Sequence, residues 1–153
     1  MADDGTKLIA RNKKAYHNYT ILDKWEAGLA LRGTEVKSLR SGQVQMTDCY
    51  ARLEGQEIFL VGLHISPYEK TAYDNHDPLR KRKLLLHRRE IKRLTTKIHE
   101  KGLTLIPLCL YFKRGYAKVE IGLVSGKRQF DKREDIKKRE TDRRLSQAVL
   151  RRR

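Results

Sequence analysis

Arg80-Lys81-Arg82-Lys83 is an unbroken run of four cations, and Arg88, Arg89, Lys92 and Arg93 follow it at the spacing of a helix face. Guanidinium and ammonium groups in such a cluster neutralise phosphates and release the counterions condensed on them. The clustering is uneven along the chain. Residues 79–101 carry ten Lys/Arg against two Asp/Glu, and residues 127–153 carry twelve against five, so +15 of the net +16 lies in 50 of 153 residues. A nearly balanced body with two basic segments predicts a folded module that grips nucleic acid twice. In the first segment Arg80, Lys81, Arg82 and Lys83 read as a phosphate-binding rim, with the four cations that follow extending it along a helix.

No other residue pattern predicts catalysis or a cofactor. His17, His64, His76, His87 and His99 lack metal-ligand spacing, Cys49 and Cys109 form no C-x-x-C, and no Ser stands in a G-x-S-x-G elbow. Between Gly122 and Gly126 there are three residues, and Lys127 is followed by Arg128, which departs from a phosphate-cradling loop. The acidic residues are scattered rather than paired for metal-assisted phosphoryl chemistry. The expectation is therefore no enzyme, no metal and no cofactor. An RNA-cleaving or RNA-modifying enzyme is the alternative, which turnover of excess RNA would reveal. The start Met1-Ala-Asp-Asp-Gly5 resembles no secretory leader, no apolar run reaches the length of a membrane span, and the two cysteines read as reduced core thiols. These features predict a cytoplasmic protein without a membrane partner.

The elements that must position the cations follow from periodicity. Residues 1–16 are polar and read as a flexible basic arm containing Arg11, Lys13 and Lys14. Residues 19–31 alternate as a long strand, with Asp23 marking a bend or bulge. Gly33-Thr34 starts a short helix with Thr34 as N-cap and Gly42 at its end. Residues 49–53 and 58–65 predict strands joined by the turn Glu54-Gly55-Gln56-Glu57. Leu84-Leu85-Leu86 predicts a short strand. Ile91, Leu94 and Ile98 predict one helix face stopped by Gly102. Residues 103–112, apolar on both faces, predict a central strand, paired across Lys113-Arg114-Gly115 with the alternating strand 117–123.

This order predicts a mainly β fold with inserted helices: an OB-like closed antiparallel barrel over residues 17–126, with a flat α+β sheet as the competing arrangement. Tyr19, Trp25, Tyr50, Tyr111 and Tyr116 lie in strands, where an exposed ring stacks on bases and a buried one packs. Trp25 reads as core. The tail, residues 127–153, shows no apolar stripe, so it reads as disordered when free and helical on a surface that neutralises it.

The strings Trp25-Glu26-Ala27-Gly28, Gly33-Thr-Glu-Val-Lys-Ser-Leu-Arg40, His64-Ile-Ser-Pro67, Asp77-Pro78 with Arg80 and Arg82, Lys83-Leu-Leu-Leu86, Leu110-Tyr-Phe-Lys113, Lys118-Val119 and Gly126-Lys127 before Asp131-Lys132-Arg133 occur in order. Together they make the chain resemble the SmpB family of SsrA-binding proteins over nearly its whole length. The resemblance implies an OB-like barrel that binds the tRNA-like part of transfer-messenger RNA (tmRNA) and enters stalled ribosomes in trans-translation, without catalysis. It implies RNA contacts at Glu26, Leu85 and Lys118, joined by Arg80, Arg82, Lys83 and Lys13; Leu85 is read either as interface or as core. It further implies that the tail, through Lys127, Arg128, Phe130, Asp131, Lys132, Arg133, Lys137 and Lys138, meets the small-subunit decoding centre and the empty message channel. Contacts with alanyl-tRNA synthetase and elongation factor Tu through the RNA complex are implied in the same way. A ribosomal or ribosome-associated structural protein is the competing reading.

Overall fold

The computed structural model describes residues 5–70, 75–126 and 137–147. Its elements in chain order are β1 (Thr6–Arg11), α1 (Lys13–Asn18), β2 (Tyr19–Leu29), α2 (Gly33–Arg40), β3 (Val44–Gln45), β4 (Tyr50–Glu54), β5 (Glu57–Val61), β6 (His64–Ile65), β7 (Arg82–Leu85), α3 (Arg88–Lys101), β8 (Thr104–Lys113) and β9 (Tyr116–Gly126). The fold is mainly antiparallel β sheet with a few helices. The large sheet runs β1-β8-β4-β5-β7-β2-β9, β9 pairs again with β8, and β3 and β6 form a separate two-stranded sheet.

Local chemistry accounts for most of these elements. The β8–β9 hairpin turns on Arg114 and Gly115, both at positive φ, between the paired Lys113 and Tyr116; this left-handed pair matches the twist of the flanking strands. β4 and β5 close on Gly55-Gln56 between Glu54 and Glu57. The long strand bulges between Ile21 and Asp23, where the β2–β9 register shifts. α3 buries Leu94, rests Ile91 and Ile98 on the core, and ends at Gly102 with φ 61°. The main core gathers residues such as Ile58, Leu60, Leu84, Leu105, Leu110 and Ile121. β8 is apolar on both faces because Ile106 and Leu108 pack into a second cluster with Ala15 of α1 and Val124. Trp25 is half-buried against the main core, with Lys97 Nζ 5.7 Å from its ring centre.

The structure corrects two of these expectations. Residues 6–16 are not a loose arm: β1 pairs with β8 from Thr6↔Lys113 to Arg11↔Cys109. Asn12 locks the entry to α1 by donating from its backbone to Leu108 O (2.8 Å) and from Nδ2 to Pro107 O (2.9 Å), while its Oδ1 accepts from Ala15 N (3.3 Å). Thr34 is not the cap of α2. Arg32 holds that position, its N–H donating to Glu35 Oε1 at 2.9 Å. The Thr34 hydroxyl instead meets Nδ1 of the buried His76 (2.9 Å), whose Nε2 donates to Ile65 O (2.9 Å).

Residues 137–147 are helical, and every one of them is exposed. The tail residues Lys127, Arg128, Phe130, Asp131, Lys132 and Arg133 lie outside the described residues. Among the described residues no helix is long and apolar enough to cross a membrane.

Candidate RNA interface

β7 carries the division between fold and site. Its residues alternate inward and outward: Arg82 and Leu84 are buried, Lys83 is half-buried and Leu85 is 51% exposed. The strand lies between β5 and β2, with Leu60↔Arg82, Phe59↔Lys83, Leu29↔Leu84 and Gly28↔Leu85 in register. Gly28 also pairs with Lys118 of β9. Leu85, Gly28 and Lys118 therefore form one row across three strands, and directly paired residues point to the same face. Gly28 is the floor of that row. A Cβ there would stand 3.2 Å from Leu85 Cβ, so the missing side chain keeps the surface concave. The result is an open groove of about 800 Å³ whose lining includes Glu26, Lys83, Leu85, Lys118, His87 and Arg88.

Glu26, two residues before Gly28 on the same face of β2, forms one wall of the groove. Tyr111 Oη donates to its Oε2 at 2.5 Å, and Lys113 Nζ lies 3.5 Å from the same oxygen. The Tyr111 bond, aided by Lys113 and Lys118 against a smaller opposing effect of burial, holds the carboxyl below its ordinary pKa. Glu26 is thus an anion at neutral pH, with Oε2 occupied and Oε1 able to accept from base amino groups. The β9–β8–β1 register, Lys118↔Tyr111 and Tyr111↔Leu8, extends the row to the 53%-exposed Leu8.

The structure brings Glu26, Lys83, Leu85 and Lys118 together and settles Leu85 as surface. It removes Arg82 from the expected rim. Arg82 is 0% exposed: Nε donates to Glu35 Oε2, Nη1 to Leu63 O (2.6 Å) and Nη2 to Pro78 O (3.1 Å). Arg80 is partly buried and donates to Glu35 Oε1 and to Ala30 O (3.4 Å). Burial alone would raise the Glu35 carboxyl, yet the Arg32 N–H and the two guanidiniums outweigh it and hold its pKa below the ordinary value. Lys81 pairs with Glu54 (2.6 Å) and Lys83 with Glu57 (2.8 Å). Lys13 is exposed on the first turn of α1 and does not line the groove. Lys137 and Lys138 are exposed at the start of the 137–147 helix. The sequence marks Tyr111 only as an aromatic in a strand. Its grip on Glu26 depends on a reach across β9 that strand periodicity does not show. Among the described residues no group of three His, Cys, Asp or Glu could hold a metal.

The chain as a whole is similar to known proteins. The model of the SmpB protein family matches residues 9–151. The SsrA-binding protein of Syntrophobacter fumaroxidans is 59% identical over 148 residues, covering 97% of this chain and 92% of the relative. That of Carboxydothermus hydrogenoformans is 57% identical over 143 residues, covering 94% and 96%. A solved structure described as "tmRNA-SmpB: a journey to the center of the bacterial ribosome" superposes with a TM-score of 0.66 at 54% identity, covering 83% of this chain and 93% of the other.

Proposed function

The chain belongs to the SmpB protein family, and on that premise we propose that it binds the tRNA-like domain of tmRNA (SsrA RNA) and delivers it to stalled ribosomes for rescue and peptide tagging. It is an RNA-binding adaptor rather than an enzyme, and it works in the cytoplasm where ribosomes are. The observation that carries the reading is the row Leu85–Gly28–Lys118 beside the Glu26 carboxylate. One concave surface there offers a cation for phosphate, an acceptor for base amino groups and an apolar contact for a sugar or base. That mixture suits folded RNA read by shape and a few base edges. Lys83 lies on the same surface. Arg80 and Arg82 act from behind it by holding β7, and Lys13 contributes charge from outside the groove.

The large sheet is, in this reading, a closed OB-like barrel. Support comes from the return pairing of β9 with β8 and from the Ala51↔Leu105 link between β4 and β8. The tail is the ribosomal half of the adaptor. A helix with every residue exposed gains nothing from burial, and an isolated helix of that length is marginal in water. It becomes populated when a polyanionic channel neutralises Lys137, Lys138 and their neighbours. A message channel left empty by a truncated message is such a surface, so the tail with Phe130 and Asp131-Lys132-Arg133 probes channel vacancy at the decoding centre.

Filter binding of the full chain tests the first half. Lys118→Glu and Glu26→Lys should each weaken binding to the tRNA-like RNA by about tenfold or more, one lost charged contact, while the thermal transition is kept. Binding that prefers this RNA no more than a random duplex of equal length would overturn the assignment. For the tail, alanine at residues 130–133 should abolish tagging and leave RNA affinity within about twofold. Normal tagging would end the vacancy-probing reading.

A further inference from the structure

We propose that the RNA backbone held in the groove continues along α3, on a phosphate track built from Arg88 and Lys92 and flanked by Arg89 and Arg93. This inference rests on the tmRNA-binding reading and moves the phosphate contacts away from residues 80–83. All four cations of that run are already matched: Arg80 and Arg82 to Glu35, Lys81 to Glu54, Lys83 to Glu57. A phosphate reaching Arg80 or Arg82 must displace the buried Glu35 carboxylate, and one reaching Lys81 or Lys83 competes with a carboxylate already beside it, so the counterion gain that drives RNA binding is reduced there. The α3 cations differ. Arg88, Arg89, Lys92 and Arg93 are exposed, and among the described residues no carboxylate lies within 4.0 Å of any of them.

The geometry connects these cations to the groove. Arg88 lines the main groove and also a second hollow of about 510 Å³ between α3 and the β4–β5 turn. Gly55 and Gln56 form the far side of that hollow, and a Cβ on Gly55 would meet nothing within 4 Å, so its mouth is open. On the helix side the hydroxyls of Thr95 and Thr96 are turned back to Ile91 O (2.7 Å) and Lys92 O (3.0 Å). Two cations therefore dominate the polar lining, which favours an anion over a neutral sugar edge. Arg88 and Lys92 stand one turn apart, about 6 Å along the axis, a span comparable with successive phosphates of one strand. A strand leaving the Leu85–Lys118 row passes Arg88 and then runs between α3 and the turn.

Salt dependence tests this with the full chain and the tRNA-like domain of tmRNA as probe, over roughly 50–300 mM monovalent salt. Arg88→Gln with Lys92→Gln should make the log–log slope shallower by about 1.4–1.8, at 0.7–0.9 per phosphate. Lys37→Gln with Arg40→Gln removes the same charge from the exposed face of α2 and should leave the slope unchanged. The charge-preserving pair Arg88→Lys with Lys92→Arg should keep the wild-type slope, which separates lost contacts from a disturbed helix. An unchanged slope for the α3 pair, or equal loss for both neutralised pairs, overturns the track while leaving selective RNA binding intact. Loss of wild-type preference for the tRNA-like RNA overturns both this inference and the function it rests on.

Discussion

Glu35→Gln should cost far more than an ordinary surface charge, although it lies behind the groove rather than in it. Glu35 and Arg82 are both 0% exposed, and the carboxylate also holds Arg80 and the Arg32 N–H. Neutralising it leaves the Arg82 guanidinium buried without a countercharge, facing only neutral oxygens: the carbonyls of Leu63 and Pro78 and the introduced amide oxygen. An uncompensated buried charge of this kind costs about 3–5 kcal/mol, a large part of a total stability of about 5–15 kcal/mol. At about 4 °C per kcal/mol for a domain of this size, Tm should fall by roughly 12–20 °C. Glu35→Leu combined with Arg82→Met removes both charges and should recover most of that loss, because a buried pair adds little over apolar residues of similar volume. Arg80 tolerates the exchange, since its side chain is 28% exposed and reaches water. The pH dependence follows from the lowered Glu35 pKa: its contribution is present above the unfolded-state pKa and is lost as pH falls through the folded value, so Glu35→Gln should flatten the acid limb. Urea unfolding followed by Trp25, the one tryptophan, provides the readout. A single mutant within about 1 kcal/mol of wild type, or a double mutant no more stable than the single, would refute a buried ion pair that holds β7.

Three further outcomes are expected. Tyr111→Phe removes the leading cause of the lowered Glu26 pKa, so the acid limb of RNA affinity should move to higher pH; an unmoved limb would mean that Tyr111 does not set the carboxylate. Burial pushes the Cys49 thiol up to about 12, whereas Cys109 is raised but only half-buried, so alkylation of native protein should label Cys109 first; equal rates would contradict the packing at Cys49. A peptide spanning residues 137–147 should be largely unfolded in buffer and gain helical circular dichroism with a polyanion, and a stable helix in plain buffer would refute the binding-dependent tail.

Features carried by short-range patterns were legible in the sequence. Gly102 ending a helix, Arg114-Gly115 turning a hairpin and Asp23 marking a bulge each follow from a few adjacent residues. β1 was hidden because its stability comes from β8, a hundred residues away, and its own Leu8 is exposed. The burial of Arg82 is hidden in the sequence for a related reason. A run of four cations looks alike whether it coats a surface or lies in a strand, and only the alternation Arg82-Lys83-Leu84-Leu85 places Arg82 beside Leu84 inside. The buried counterion is 47 residues earlier in the chain. Glu26, Leu85 and Lys118 were picked out by family strings, but their meeting across Gly28 is a property of register, which no local window contains.

The alternation in β7 also governs how this surface can change over generations. Arg82 and Leu84 face inward and answer to folding, Lys83 and Leu85 face the groove, and the two sets occupy alternate letters of one four-residue word. Substitutions at the outward letters leave the buried pair untouched, so they can reshape the groove at little risk to the sheet. An insertion or deletion of one residue would exchange the two sets, exposing the buried Arg82 and burying Lys83 in the same step. The strand is open to changes of spelling and closed to changes of length, so β7 can contribute a new groove surface only by point substitution.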